Sequence, residues 1–227
     1  SGTAPATLTV SVNTAGFNPG TYTGTITITS PAAANSPQSV PVTVNASANL
    51  ACDWAARYNG LGNSFDRANA LAVDASGNIY VTGWSYNSSN DYATKTIKYD
   101  ADGRELWTAS YSSPGISLSS QFIEVDTLGN AYVAGVIQNS SFTNSDYATV
   151  KYDVNGNQIW MARYDGPSYV YQHDIPRAMT VDSNGNVYVT GYSGGINSTG
   201  FVTDLDYATV KYDTNGNELW VARYNGP

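Results

Sequence analysis

The feature that most constrains this chain is internal repetition. Trp54–Ala55–Ala56–Arg57–Tyr58 returns as a Trp-x-Ala-x-Tyr pattern beginning at Trp107, Trp160 and Trp220, at spacings of 53, 53 and 60 residues. Between these tryptophans the same shorter motifs recur in the same order. The repeating unit is therefore a whole supersecondary module, and modules of this length bury an apolar face only by stacking on their neighbours.

Each unit reads as four short strands. In the first, Ala70–Leu71–Ala72–Val73–Asp74 leads through the turn Ala75–Ser76–Gly77 into Asn78–Ile79–Tyr80–Val81–Thr82–Gly83. A variable loop then precedes Asp91–Tyr92–Ala93–Thr94 and Ile97–Lys98–Tyr99–Asp100, and Ala101–Asp102–Gly103 turns the chain into Glu105 to Tyr111. The second and third units repeat this through Asp146–Tyr147–Ala148–Thr149 and Asp206–Tyr207–Ala208–Thr209. The first unit carries two extra residues, Lys95 and Thr96, and an even insertion keeps the two faces of a strand in phase. This pattern predicts an all-β fold, a partial β-propeller of three four-stranded antiparallel blades plus one orphan outer strand. The propeller region is placed at 51–227, with blades at about 61–111, 112–164 and 165–227. Three blades fall short of the about four to eight that close a ring, so the remaining blades are expected from the rest of the polypeptide or from another chain. Sheet edges left open favour association.

Residues 1–50 differ in kind. They hold no Asp, Glu, Lys, Arg or His, whereas all the charged residues follow Ala51. Period-two alternation over Thr7 to Val12, Tyr22 to Ile28 and Val40 to Val44 predicts three half-buried strands, with a turn at Asn18–Pro19–Gly20. Pro41 lacks an N–H and belongs at an edge or facing away from the ladder. The run Gly20 to Ile28 followed by Val40 to Val44 resembles the closing strands of bacterial immunoglobulin-like domains of the BACON-like kind, in which Tyr22 would fit a tyrosine corner. Residues 1–50 are accordingly expected to be the C-terminal part of a truncated immunoglobulin-like β-sandwich.

From residue 53 onward, the order of strands, turns and tryptophans resembles the bacterial β-propeller repeat family known as SBBP, with a more distant likeness to NHL repeats. The resemblance implies a secreted or cell-surface bacterial protein whose propeller presents an interaction surface. It implies no catalytic residue.

Composition narrows the partners. The net charge is −8, and the ten Lys and Arg residues are scattered singly, which argues against nucleic acid or an anionic membrane surface. No apolar run is long enough for insertion into a membrane as a helix. Cys52 is the single cysteine, so no disulfide within the chain and no cysteine-based zinc site is expected. The turn Asp153–Val154–Asn155–Gly156–Asn157, matched at Asp100, Asp182 and Asp213, has the look of the opening of a calcium loop. It lacks a distant bidentate Glu and falls where hairpins must reverse, so it is read as turn chemistry, and no cofactor is expected. The recurring tryptophans are read as blade-to-blade packing. Asp91, Asp146 and Asp206 are read as acceptors of backbone N–H groups. Asp165, Asp174, Asp204 and Asp206 are candidates to share a face, which keeps a polysaccharide-acting enzyme, a lyase or glycoside hydrolase, as the alternative to a non-catalytic protein.

Antiparallel strands put the short uniform turns on one side of each blade and the long variable loops on the other. Those loops run over Trp84 to Asn90, Ile137 to Ser145 and Tyr192 to Leu205, and between blades over Ser112 to Ser119 and Asp165 to Pro176. They carry Trp84, Tyr86, Phe142, Tyr169, Tyr171, Tyr192 and Phe201 beside Asn and Asp, a mixture able to stack on sugar rings and bond hydroxyls. The leading expectation is a non-catalytic extracytoplasmic binding or adhesion scaffold recognising a glycan or surface protein on this side. A purely structural stalk is the third reading.

Overall fold

The computed structural model describes residues 20–29, 36–46, 54–60, 65–86, 92–111, 116–139, 145–167, 173–196 and 202–225. The expected strand at Thr7 to Val12 and Cys52 lie outside them. The chain divides into two compact units, Ser1–Asp53 and Trp54–Pro227.

In the first unit the described residues form one antiparallel pair, β1 (Gly20–Ile28) and β2 (Gln38–Ala46). Pro41 stands opposite Thr25 in the two-stranded ladder, where a missing N–H is tolerated on an outward position. Tyr22 lies opposite Val44 and is exposed.

The second unit is built from three four-stranded antiparallel sheets, and its described residues contain no helix. Blade 1 consists of β3 (Asp66–Val73), β4 (Ile79–Tyr86), β5 (Tyr92–Tyr99) and β6 (Glu105–Tyr111). Blade 2 consists of β7 (Ile116–Val125), β8 (Ala131–Asn139), β9 (Ser145–Tyr152) and β10 (Gln158–Tyr164). Blade 3 consists of β11 (Ile175–Val181), β12 (Val187–Ile196), β13 (Val202–Tyr212) and β14 (Glu218–Tyr224). Each sheet pairs its strands in chain order, and β7 lies against both β3 and β11. These are successive blades of a β-propeller.

The first strand of each blade begins earlier than its apolar alternation. A bulge interrupts the register between Ala68 and Ala70, Ser120 and Phe122, and Pro176 and Ala178. The extra residue breaks the period of two, so the paired residues ahead of it do not continue the alternation. The partner strand holds a glycine opposite each bulge. A Cβ on Gly83, Gly135 or Gly191 would stand about 2 Å from the carbonyl oxygen of Arg67, Ser119 or Ile175, a distance no side chain can accept.

Two apolar interfaces form between the blades. Blade 1 presents Tyr80, Ala70 and Ala72 to Ile123, Val133 and Val150 of blade 2. Blade 2 presents Tyr132, Ala134 and Tyr147 to Val187, Val189 and Val210 of blade 3. The repeated tryptophans of β6 and β10 then reach across to the next blade. Trp107 Nε1 donates to the Val154 carbonyl at 2.9 Å and Trp160 Nε1 donates to that of Thr214 at 3.0 Å. Their rings cover Gly156 and Gly216, which hold φ of 83° and 82°. Trp54 does the same to Gly103 of blade 1, with Nε1 donating to the Ala101 carbonyl at 3.0 Å. Residues 54–60 thus dock on blade 1 in the place of a preceding blade's outer strand, although they pair in none of the described sheets. Glycine is needed under each tryptophan twice over, for the positive φ and for the space the indole takes.

Candidate functional site

The two sides of the blades differ in chemistry. On the short-turn side, six turns close identically, with Gly77, Gly103, Gly129, Gly156, Gly185 and Gly216 all at φ of 78–83°. Each begins with an aspartate that ties its own turn. Asp182 Oδ1 accepts the N–H groups of Asn184 and Asn186, while Oδ2 accepts the Asn186 side chain and the Tyr188 hydroxyl. The Asn186 amide, together with these other donors, holds the Asp182 carboxyl down at about 2 against a smaller opposing effect of desolvation. At Asp126 burial pulls upward, but the Asn130, Tyr132 and Leu128 donors outweigh it and the carboxyl lies below its ordinary range. These carboxylates spend their lone pairs on the turn itself.

The described residues at the long-loop side are polar and aromatic. At the end of β4, Trp84 and Tyr86 meet edge to face with ring centroids 5.4 Å apart. Trp84 also borders a recess of about 320 Å³ shared with Arg67, Asn69, Ser119 and Gln121. Asn69 and Gln121 are the bulged residues of β3 and β7, re-aimed by the extra residue in the strand. Asn69 Nδ2 donates to the Ser120 carbonyl at 2.7 Å and ties the recess across two blades. Tyr192 stands on blade 3 and does not join this pair. It carries Arg177, the bulged residue of β11, over its ring at 5.1 Å. Phe142, Tyr169, Tyr171 and Phe201 lie outside the described residues.

At the junction of blades 2 and 3 is a group of carboxylates. Asp146 enters from the start of β9, Asp165 follows the end of β10, and Asp174 immediately precedes β11. One carboxylate oxygen from each lies within 4.8 Å of the others. Asp146 and Asp174 are 2% and 1% exposed, whereas Asp165 is exposed. Arg163 bridges the group, 2.5 Å from Asp146 Oδ2 and 3.3 Å from Asp165 Oδ2. Asp174 Oδ2 accepts the Gly166 N–H at 2.7 Å. Burial pushes the Asp146 carboxyl up, with Arg163 opposing and the neighbouring Asp165 and Asp174 adding to the rise. Burial also raises Asp174, against hydrogen bonds from Ser193 and Gly166.

The loops whose backbone N–H groups Asp146 and Asp206 are expected to serve run through residues outside those described. Both carboxylates also pair with an arginine of the outer strand, Asp146 with Arg163 and Asp206 with Arg223 at 3.2 Å. Arg223 also donates to the Tyr164 hydroxyl at 2.8 Å and to Ser193 Oγ at 2.6 Å, linking blade 3 to blade 2. The sequence holds a trace of this pairing. Blades 2 and 3 carry Arg in the Trp-x-Ala-Arg-Tyr motif, whereas blade 1 has Ser110 there and its Asp91 displaced by the insertion. Asp165 and Asp174 do share a face, with Asp146 as their third member. Asp206 pairs with Arg223 instead, and the side chain of Asp204 lies outside the described residues.

The family comparison agrees with the blades. The SBBP beta-propeller repeat family model matches residues 53–90 and 169–197. Both matches stop just beyond the second strand of a blade, at the same phase of the repeat. An uncharacterized WD repeat-containing protein of Acanthamoeba polyphaga mimivirus is 26% identical over 221 residues, covering 76% of this chain and 16% of the viral protein. The chain thus spans about a sixth of that relative's length. A crystal structure of a protein of unknown function from Bacteroides caccae is similar at 15% identity and a TM-score of 0.36, over 69% of this chain and 61% of that one. The chain carries β-propeller repeats folded as successive blades.

Proposed function

We propose that the chain is part of a non-catalytic, extracytoplasmic binding or adhesion scaffold whose long-loop side recognises a glycan or a surface protein. The observation that carries this reading is the polar recess bordered by Trp84, with Arg67, Asn69, Ser119 and Gln121 around it. An aromatic face beside several hydrogen-bonding side chains suits a sugar ring, which offers C–H groups to stack and hydroxyls to bond. The short-turn side lacks this offer, because its aspartates are engaged within their own turns. The buried carboxylates of Asp146 and Asp174 leave no open approach for a glycosidic bond, which favours a binding role over hydrolysis. The mimivirus relative's WD-repeat name supports a repeat scaffold and nothing finer. Residues 1–50 serve in this proposal as an immunoglobulin-like spacer.

The test is a glycan array and a panel of surface proteins probed with the chain, with Trp84→Ala and Asn69→Ala as variants. Binding that falls at least about ten-fold in Trp84→Ala, without turnover of any bound polysaccharide, is the expected result. Binding unchanged by either substitution would place recognition elsewhere.

A further inference from the structure

We propose that Asp146, Asp165 and Asp174 form a cation site for calcium that clamps blade 2 to blade 3. This goes beyond recognition by the loop side and does not depend on it. The charge balance is the first argument. Three carboxylates meet within 4.8 Å, and among the described residues the cation paired with them is Arg163 alone. The second argument is hydrogen bonding. Asp146 Oδ1 and Asp174 Oδ1 are buried and accept no hydrogen bond. Buried carboxylate oxygens need a donor or a cation, because the interior does not replace the water they lose.

The repeat supplies the third argument. At the junction of blades 1 and 2, register places Ala93, Ser110 and Leu118 where Asp146, Arg163 and Asp174 stand. That junction closes with none of these charges, so packing two blades does not require them. Each ancillary contact also recurs singly elsewhere. Asp66 Oδ2 accepts the Gly60 N–H as Asp174 accepts that of Gly166, and Asp206 pairs with Arg223 as Asp146 pairs with Arg163. Only between blades 2 and 3, among the described residues, do the two arrangements coincide. There Asp165 replaces the asparagine found at Asn59 and Asn225.

Calcium is the cation that suits this donor set. It is hard, takes carboxylate oxygens at about 2.3–2.6 Å, and accepts irregular geometry completed by water. Two of its ligand oxygens on opposite sides stand up to about 5 Å apart, which the 4.8 Å span satisfies. Magnesium demands shorter bonds and near-octahedral order, which a site already tied to Arg163 and Gly166 cannot readily provide. The exposed Asp165 gives the ion its entry.

The experiment uses the full chain, stripped with a chelator and titrated with calcium and with magnesium by calorimetry, alongside thermal unfolding. One saturable calcium equivalent and a raised melting temperature are expected. Asp165→Asn should weaken calcium binding about ten-fold or more, and Asp174→Asn should abolish it. Asp153→Asn, on the short-turn side, should leave binding unchanged. If Asp174→Asn fails to fold, Asp165→Asn decides, because its side chain is exposed. No saturable binding at millimolar calcium, binding that survives in Asp165→Asn at full strength, or binding lost in Asp153→Asn would each overturn the proposal.

Discussion

At the scale of the residue, a tryptophan and a glycine from neighbouring blades act as one joint. Trp107 Cδ2 would lie 2.7 Å from a Cβ on Gly156, whose φ of 83° already disfavours any side chain. Gly156→Ala should therefore cost about 1–2 kcal/mol for the left-handed backbone alone, plus whatever the displaced indole loses. Trp107→Ala should cost about 3–5 kcal/mol, because it removes ring contacts with Tyr80 and Tyr152 at 5.9 and 6.4 Å and a hydrogen bond to Val154. Urea denaturation measures both. The double variant should cost less than the sum, since each substitution breaks the same joint. The turn aspartates make a further prediction. A carboxyl held at about 2, as in Asp182, stabilises the fold above the unfolded value of about 4 and loses that contribution as pH falls through its folded value. Asp182→Asn should flatten the acid limb of stability between roughly pH 4 and pH 2, read as melting temperature against pH, and leave the slope near neutrality unchanged.

At the scale of the element, the strands and turns were largely legible because each leaves a periodic mark. Apolar alternation gives the strand, Asp-x-x-Gly gives the turn, and the tryptophan gives the outer strand. The segments ahead of the bulges were not legible, since Asp66–Arg67–Ala68 is paired yet out of phase with Ala70 to Val73. Of the candidate site, Trp84 and Tyr86 could be read from the chain as aromatics at the loop end of β4. The group of Asp146, Asp165, Asp174 and Arg163 could not, because its members come from separate strands and loops and meet only when two blades stack. The Lys95–Thr96 insertion shows both limits. Its even length predicted that faces stay in phase, and Ile97 indeed pairs with Val81 as Val150 pairs with Val133. Its consequence, Thr94 in the place of Tyr147 and Ala93 in the place of Asp146, follows only from the register. Deleting Lys95 alone should turn every residue before it in β5 to the wrong face. Deleting Lys95 and Thr96 together should be less damaging, and denaturant midpoints of the two variants will show the order.

At the scale of the whole propeller unit, each blade-to-blade contact has two unlike halves, and the outermost blades leave one of each exposed. On blade 1, Leu71 is 65% exposed where its counterpart Ile123 on blade 2 is 6% exposed. On blade 3, Tyr207 is 69% exposed where its counterpart Tyr147 is fully buried. Trp54 to Tyr58 cover the outer part of the blade 1 face, but Leu71 and Val73 remain open. Apolar surface of this kind, complementary to a second surface on the same molecule, produces head-to-tail association. The 227-residue chain should accordingly show a light-scattering mass that rises with concentration. Leu71→Glu and Tyr207→Glu should each hold it near the monomer, because a charge placed in either half leaves a buried carboxylate in the joint. Mixing the two variants should restore a dimer and no larger species, since one copy then offers an intact blade 3 face and the other an intact blade 1 face. A symmetric association, in which like faces meet, would give the opposite result, with one variant abolishing assembly and the other leaving it untouched. A wild-type chain that stays monomeric at high concentration would show that the open halves do not meet.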